Sequence, residues 1–472
     1  MDKIKPRTLS GFMELLPNQQ VLFDAMARRL RDSFALYGFT PLDTPLMESV
    51  EILLAKGGGE TEKQIYTLRK GDNDLAIRYE LTASLAKYAT LYYNDLTFPF
   101  RRFEIGKVYR GERAQRGRFR EFYQADIDII GDGSLDTLNE AEIPSVIYKC
   151  FTSLGLNRFV IRMNNRKVLN GFFEILGTPP TLTPNVMRVV DKLDKIGPEK
   201  MTKTLVEDIG LSQTQAEEIL AFVTGSTHCH CGLDPQSPEK PVILSETKNL
   251  TPFETLAKYK GKSETFDKGA EELEALQRHL ADFGVPETHY KIDLSIARGL
   301  DYYTGTVYET YLTDHPEVGA VCSGGRYDNL AEYYTDRKMP GVGISIGLTR
   351  LFYILQEQKL LNETFMSAPA DVLVIPMTDD LSHAVQLATS MRESGLRVQI
   401  YSENKKFKAK LSYADKLKIP FIVLLGEDEI EKGLITVKNM TTGEQTTASS
   451  GILTAGIIDK IKELRTGAPI KE

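Results

Sequence analysis

The chain has 472 residues, a net charge of −7, and 42% hydrophobic and 26% charged residues; this composition predicts a globular protein of two to four domains rather than one core. Without a run of 18 apolar residues or a signal-like apolar N-terminus, no membrane segment is predicted, and four scattered cysteines (Cys150, Cys229, Cys231, Cys322) point to a reducing cytoplasm instead of a disulfide framework. The acid excess argues against a non-specific nucleic-acid binder, and no DNA partner is expected, yet it leaves room for RNA contact through local basic surfaces.

Pro17 to Tyr37 reads as an amphipathic helix, with Leu22, Met26, Leu30 and Phe34 recurring every four residues. Gly38-Phe39-Thr40-Pro41 breaks it, and the segment through Glu48 has the proline-punctuated look of an edge strand. Short helices are predicted from Met47 to Ala55 and from Leu81 to Tyr92. Two alternating runs between Phe98 and Ile130, joined by a basic loop, predict a long β-hairpin. The stretch from Arg166 to Phe222 is helix-rich, and Thr224 to Thr251, which contains HCHCG, reads as a loop or mobile insertion. Helical patterning resumes near Lys268, followed by strands up to Gly347 and a helix from Leu348 to Gln358. Asn362 to Ala370 is the best linker, and beyond it DVLVIPM, RVQIYS, FIVLLG and LITVKN alternate with helical stretches as in a small α/β domain.

Chemistry concentrates in the hairpin. Eight Lys or Arg face three acidic residues between Arg101 and Glu121, and in EFYQADIDII a period of two sets Phe122, Gln124, Asp126 and Asp128 against Tyr123, Ala125, Ile127 and Ile129. One face is therefore core; the other, with Arg110 and Glu112 at the end of the facing strand, suits a nucleotide beside a small cationic molecule. In AIRYELTASLAKY, Arg78 and Glu80 precede a helix starting at Thr82. Arg298 closes another strand-like run and opens the turn ARGLDYYTG, where an arginine needs an anionic or planar partner to offset its burial. By spacing alone, a structural ion pair explains it equally well.

Taken together these segments resemble the histidyl-tRNA synthetases, within class II of the aminoacyl-tRNA synthetases. RRFEIGKVYRGERAQRGRFREFYQADIDIIG resembles the second class signature, GVGISIGLTRL the third, GFTPLDTPLME the first, and ARGLDYYTG with SGGRYDNL the histidine-specific signatures. The resemblance runs from Thr8 to about Asn439 and implies an α/β multidomain fold: a class II core of antiparallel β-sheet flanked by helices, a helical insertion module, and a C-terminal α/β anticodon-binding domain. The expected boundaries are 1–165 and 259–362 for the core, 166–258 for the module with a mobile loop near 224–251, and 370–472 for the last domain.

The implied activity is histidine–tRNA ligation: L-histidine and ATP, with Mg²⁺ carried on the nucleotide, give histidyl-adenylate and pyrophosphate, and histidine then passes to histidine tRNA. By the same resemblance Arg110 and Arg298 would flank the α-phosphate, Glu112 and Phe122 would meet the adenine, and Arg350 would cover it. Gly341, Gly343 and Gly347 would let a strand pass close to the adenosine, as Gly324 and Gly325 would let one approach the amino acid. Glu80, Thr82 and Gln124 would hold the α-amino group; Asp128 and Tyr303, with Tyr302 nearby, would read the imidazole, and Gln115 and Arg116 the tRNA end. Arg326 and Asp328 would start a helix. A homodimer is implied through the first signature.

Lys405 to Lys418 carries six lysines with Phe407 and Tyr413 interleaved, a composition suited to single-stranded RNA and one that resembles the anticodon-binding domain. His228-Cys229-His230-Cys231 cannot wrap one tetrahedral zinc without strain, so no metal site is expected. The chief rival is a silent paralogue, the regulatory subunit of ATP phosphoribosyltransferase; it lacks the last domain and degrades the arginine signatures, all of which are present here.

Overall fold

The hairpin forms as the alternation requires and becomes the centre of the molecule's largest sheet. The computed structural model describes residues 3–55, 60–113, 115, 117–225, 250–297, 303–361 and 365–466. By internal contacts the chain divides into two compact units, 30–351 and 1–29 with 352–472.

In the unit 30–351, β1 (Thr40–Pro41), β5 (Phe100–Tyr109), β6 (Glu121–Ile130), β7 (Phe159–Asn165), β8 (Tyr290–Ile292), β9 (Thr306–Leu312), β10 (Cys322–Tyr327) and β11 (Gly341–Ile346) form one sheet. Its order is β1-β5-β6-β11-β10-β9-β7-β8. The six central strands are antiparallel, and only the two edge strands pair parallel. A second, three-stranded sheet pairs β2 (Met47–Ser49), β4 (Asn73–Ile77) and β3 (Tyr66–Lys70). Met47 to Ala55 is thus a short strand followed by a helical turn, α2 (Val50–Leu53), rather than one helix, because the segment pairs with β4.

The first helix, α1 (Pro17–Leu36), starts with Pro17 at a position whose missing N–H costs nothing, and buries Leu22, Met26, Leu30 and Phe34 on one stripe. Helix α3 (Glu60–Gln64) is brief; α4 (Thr82–Leu91) begins at the predicted threonine. The core face of β6 buries Ala125, Ile127 and Ile129 completely. Helix α5 (Leu138–Ser153) buries Ile143, Val146, Ile147 and Phe151, contacts β11, and packs against a later helix, α12 (Glu264–Asp282). Between β7 and α12 the chain is helical as predicted: α6 (Arg166–Ile175), α7 (Thr183–Val190), α8 (Leu193–Ile196), α9 (Pro198–Glu207), α10 (Gln213–Thr224) and α11 (Pro252–Ala257). Ser212 and Thr251 cap α10 and α11 through reciprocal capping boxes. The HCHC motif and most of the predicted mobile insertion lie outside the described residues.

A second local expectation also fails. Arg326 and Asp328 do not start a helix: β10 runs through Tyr327, and residues 328–334 form bends and turns. Arg326 instead reaches the helix-covered face, where it bonds Glu140 of α5 at 2.7 Å and the Leu135 carbonyl at 3.0 Å. That buried partner keeps the strand going. The following helix, α13 (Leu348–Glu357), agrees with prediction.

The unit containing 352–472 has its own sheet, β13 (Val398–Ile400), β12 (Val372–Pro376), β14 (Phe421–Leu425), β15 (Leu434–Asn439) and β16 (Gln445–Ser449), paired in that order. The first three are parallel and the last two antiparallel. Val372, Val374, Val423 and Ile435 share a core with Ala388 and Met391 of the helix Ser382–Glu393. The lysine-rich segment forms the helix Phe407–Lys416, with Lys406 and Lys408 exposed.

Candidate active site

The cavity-side face of the central sheet is polar because register aligns its polar residues. Arg102 stands opposite Asp128, Glu104 opposite Asp126, and Gly106 opposite Gln124 across β5 and β6; Gly343 and Ser345 of β11 stand opposite Asp128 and Asp126. Over this floor lies a cavity of about 290 Å³, bounded by Glu80, Thr82, Arg110, Gln124, Asp128 and Tyr303 among others. That is the small end of ligand pockets, the size for a polar metabolite.

Six of the residues predicted for the site therefore come together here from four separate segments. Glu80 is 3% exposed and sits between β4 and α4. Its carboxylate, with burial, raises the neighbouring Tyr79 phenol far above its usual range. Gln124 donates from Nε2 to Ser345 Oγ at 2.6 Å, while its buried Oε1 has no partner among the described residues. An acceptor carbonyl and an adjacent carboxylate are what a primary ammonium needs. Arg110 is oriented by an Nε bond to the Tyr79 carbonyl at 3.1 Å, and its guanidinium lies 5.3 Å from the Phe122 ring centre.

Other predicted residues lie off the cavity wall. Phe122 faces Arg110, Glu112 lies 3.6 Å from Arg118, and Arg350 donates to the Ala320 carbonyl at 2.8 Å. Gln115 is exposed at the tip of the hairpin, bonded backbone to backbone with Arg118. Arg116, Arg298 and Tyr302 lie outside the described residues.

The floor of the cavity is an ionic network. Arg102, fully buried, meets Asp128 Oδ2 at 2.7 Å and Glu104 at 3.8 Å; Glu104 meets Arg78 at 2.7 Å. Arg78 also donates to the carbonyls of Thr44 and Lys107. Burial pushes Asp126 up to about 8, against the opposing pull of Arg102 and Ser345. Burial also raises Asp128, to about 6, with Arg102 and the Tyr327 hydroxyl holding it lower than Asp126. Of the two, burial favours the protonated form more at Asp126, while Arg102 and Arg78 face Asp128 and Glu104.

Sequence reasoning missed Tyr327, whose buried hydroxyl donates to Asp128 Oδ1 at 2.7 Å. The alternation in SGGRYDNL carries a signal, since Gly325 and Tyr327 fall on the face opposite to Arg326. Two glycines read as backbone approaches to ligand have another use. A Cβ at Gly343 would strike Asp128, and one at Gly325 would strike the Tyr303 ring, so these glycines make room for the site's own side chains. Arg166 was also missed: at the start of α6 it donates to the carbonyls of Ala297 at 2.9 Å and Tyr303 at 3.4 Å, tying both ends of the histidine-signature turn.

A cleft on an antiparallel sheet, followed in the chain by a separate α/β domain, is an architecture shared with known RNA-charging enzymes. Residues 11–351 match the histidyl-tRNA synthetase family model, and residues 371–463 match that of the anticodon binding domain. A histidine–tRNA ligase from Clostridium tetani is 50% identical over 95% of this chain and 97% of its own length. The crystal structure of histidyl-tRNA synthetase from Nostoc sp. PCC 7120 superposes with a TM-score of 0.84 at 37% identity, covering 97% of this chain and all of that one. A Bacillus halodurans structure titled ATP phosphoribosyltransferase regulatory subunit/histidyl-tRNA synthetase shares the fold, with a TM-score of 0.67 at 20% identity over 87% of this chain and 97% of that one. The chain belongs to the histidyl-tRNA synthetase family.

Proposed function

We propose that the chain is an ATP-dependent histidine–tRNA ligase, acting on L-histidine, ATP and histidine tRNA. The observation that carries the reading is the convergence of Glu80, Thr82, Gln124, Arg110, Asp128 and Tyr303 on one small cavity. Glu80, Thr82 and Gln124 receive the substrate ammonium, and Asp128 with Tyr303 reads the imidazole. Tyr327 supports Asp128 from the side. A site of buried polar partners rejects apolar analogues by about 10⁴–10⁵, because those partners would be left unpaired.

With the amino acid so held, its carboxylate oxygen attacks the α-phosphorus of ATP. The bond to the bridging oxygen breaks and pyrophosphate leaves, giving histidyl-adenylate. No general base is needed, since the nucleophile is already ionised. Arg110, and Arg298 by its place in the signature, stabilise charge on the equatorial phosphate oxygens. Phe122, Glu112 and Arg350 serve the adenine. Transfer of the histidyl group to the tRNA 3′ end then releases AMP, with Gln115 and Arg116 touching that end.

The buried carboxylates of the floor are poor metal ligands, because Arg102 and Arg78 already neutralise them. Mg²⁺ therefore arrives as counter-ion of the nucleotide, and no step is assigned to a protein-held metal. A cytoplasmic homodimer is the form proposed, with domains divided near 166, 259 and 370. The regulatory-subunit alternative is weaker: Arg110 lines the cavity, and the anticodon-type domain is present.

Histidine-dependent ATP–pyrophosphate exchange, followed by charging of histidine tRNA, tests this reading. Exchange should require histidine; equal exchange with other amino acids, or none with histidine, overturns it.

A further inference from the structure

We propose that Arg102 is a positioning residue for histidine recognition, fixing the Asp128 carboxylate from beneath the cavity floor. This rests on the reading of Asp128 as an imidazole partner. The geometry holds Asp128 at three points. Tyr327 donates to Oδ1 at 2.7 Å, Arg102 Nη2 approaches Oδ2 at 2.7 Å, and the side chain fills the space left by Gly343. Each carboxylate oxygen keeps a lone pair for a ring N–H. Aspartate is short, so its aim depends on what grips it.

A purely structural role for Arg102 fits poorly. A wholly buried guanidinium is an expensive way to fill space, and apolar replacements of buried ion pairs are often neutral or stabilising. Arg102 also lies on the cavity side of β5, in register with Asp128, and not among the apolar residues of the opposite face. Its other neighbours, Glu104 and Asp126, are differently placed: Glu104 is already bonded to Arg78 and Thr44, and Asp126, pushed toward its protonated form by burial, makes no ion pair with Arg102 among the described residues. Asp128 is the carboxylate left for Arg102 to hold. Without that cation, burial would favour the protonated acid, and Asp128 would cease to be an acceptor at both oxygens.

The test is a double-mutant cycle in histidine-dependent pyrophosphate exchange, with Arg102→Met, Asp128→Asn and the double variant, and Arg102→Lys as a variant that keeps the charge. Arg102→Met should raise KM for histidine by about 10–100-fold, the loss of the cation paired with Asp128, while KM for ATP moves less than about two-fold. Asp128→Asn should do likewise, and the double variant should be no worse than Asp128→Asn alone. Arg102→Lys should recover part of the loss, and it carries the test if the methionine variant fails to fold. Multiplying effects in the double variant, an unchanged KM for histidine in Arg102→Met, or parallel loss for both substrates would overturn the role of Arg102. An unchanged KM for histidine in Asp128→Asn would instead overturn the reading of Asp128 on which it rests.

Discussion

Replacing Gly343 by alanine adds one methyl group at a crowded point of the site. Its Cβ would stand 2.6 Å from Asp128 Cγ and closer still to Oδ1 and to the Ile127 carbonyl oxygen. Backbone cannot yield without breaking the β6–β11 ladder, where Gly343 pairs with Asp128. Two responses are open. If the strands part, overpacking costs about 1–3 kcal/mol. If Asp128 swings away from Arg102 and Tyr327, a buried charge is left unpaired at about 3–5 kcal/mol. A loss of about 3 kcal/mol is expected, with KM for histidine raised at least about 10-fold because Asp128 moves on either route. Gly347→Ala is the control in the same signature: its nearest neighbours, Arg350 Cβ and the Val321 carbonyl oxygen, lie 3.6 Å away, so stability should change by less than about 0.5 kcal/mol. Urea unfolding followed by far-UV circular dichroism suits a chain without tryptophan, beside exchange kinetics at varied histidine. A Gly343→Ala variant as stable as Gly347→Ala, with the wild-type KM, would refute the packing argument.

Three further outcomes are expected. Arg298→Ala should lower the adenylation rate by about 10²–10³ in single-turnover measurements while the protein still folds; wild-type exchange would remove its assigned role. Asp126 is an acid whose pKa is raised to about 8 on folding, so its contribution favours the folded state below about pH 4 and is lost as pH climbs toward 8. Asp126→Asn has no such dependence, and its thermal midpoint should gain on the wild type between pH 5 and 8; a pH-independent difference would count against the shift. Lys406→Ala with Lys408→Ala should weaken tRNA charging and reduce its salt slope by about 1.4 while leaving pyrophosphate exchange intact, which would fail if both reactions fell together.

The hairpin shows how far the sequence reaches. Alternation in EFYQADIDII separates a core face from a polar face without reference to any other segment, because side chains on a strand alternate wherever it is placed. Start signals at Pro17 and Thr82 are equally local, and both helices begin there. Errors fall where a local signal competes with a distant partner. Met47 to Ser49 is strand because β4 pairs with it, and β10 runs past Arg326, whose partner Glu140 lies far along the chain on α5.

The site divides along the same line. Sequence by itself determined which residue types share the polar face of β6 and, through the family signatures, which chemistry is expected of them. Tertiary structure decided the register, and with it that Arg102 stands against Asp128 and that Tyr327 reaches the same carboxylate. It also decided that Gly343 and Gly325 are empty to admit Asp128 and Tyr303. Pairing across strands depends on hydrogen bonds between segments far apart in sequence, and no periodicity within one segment encodes its neighbour's offset.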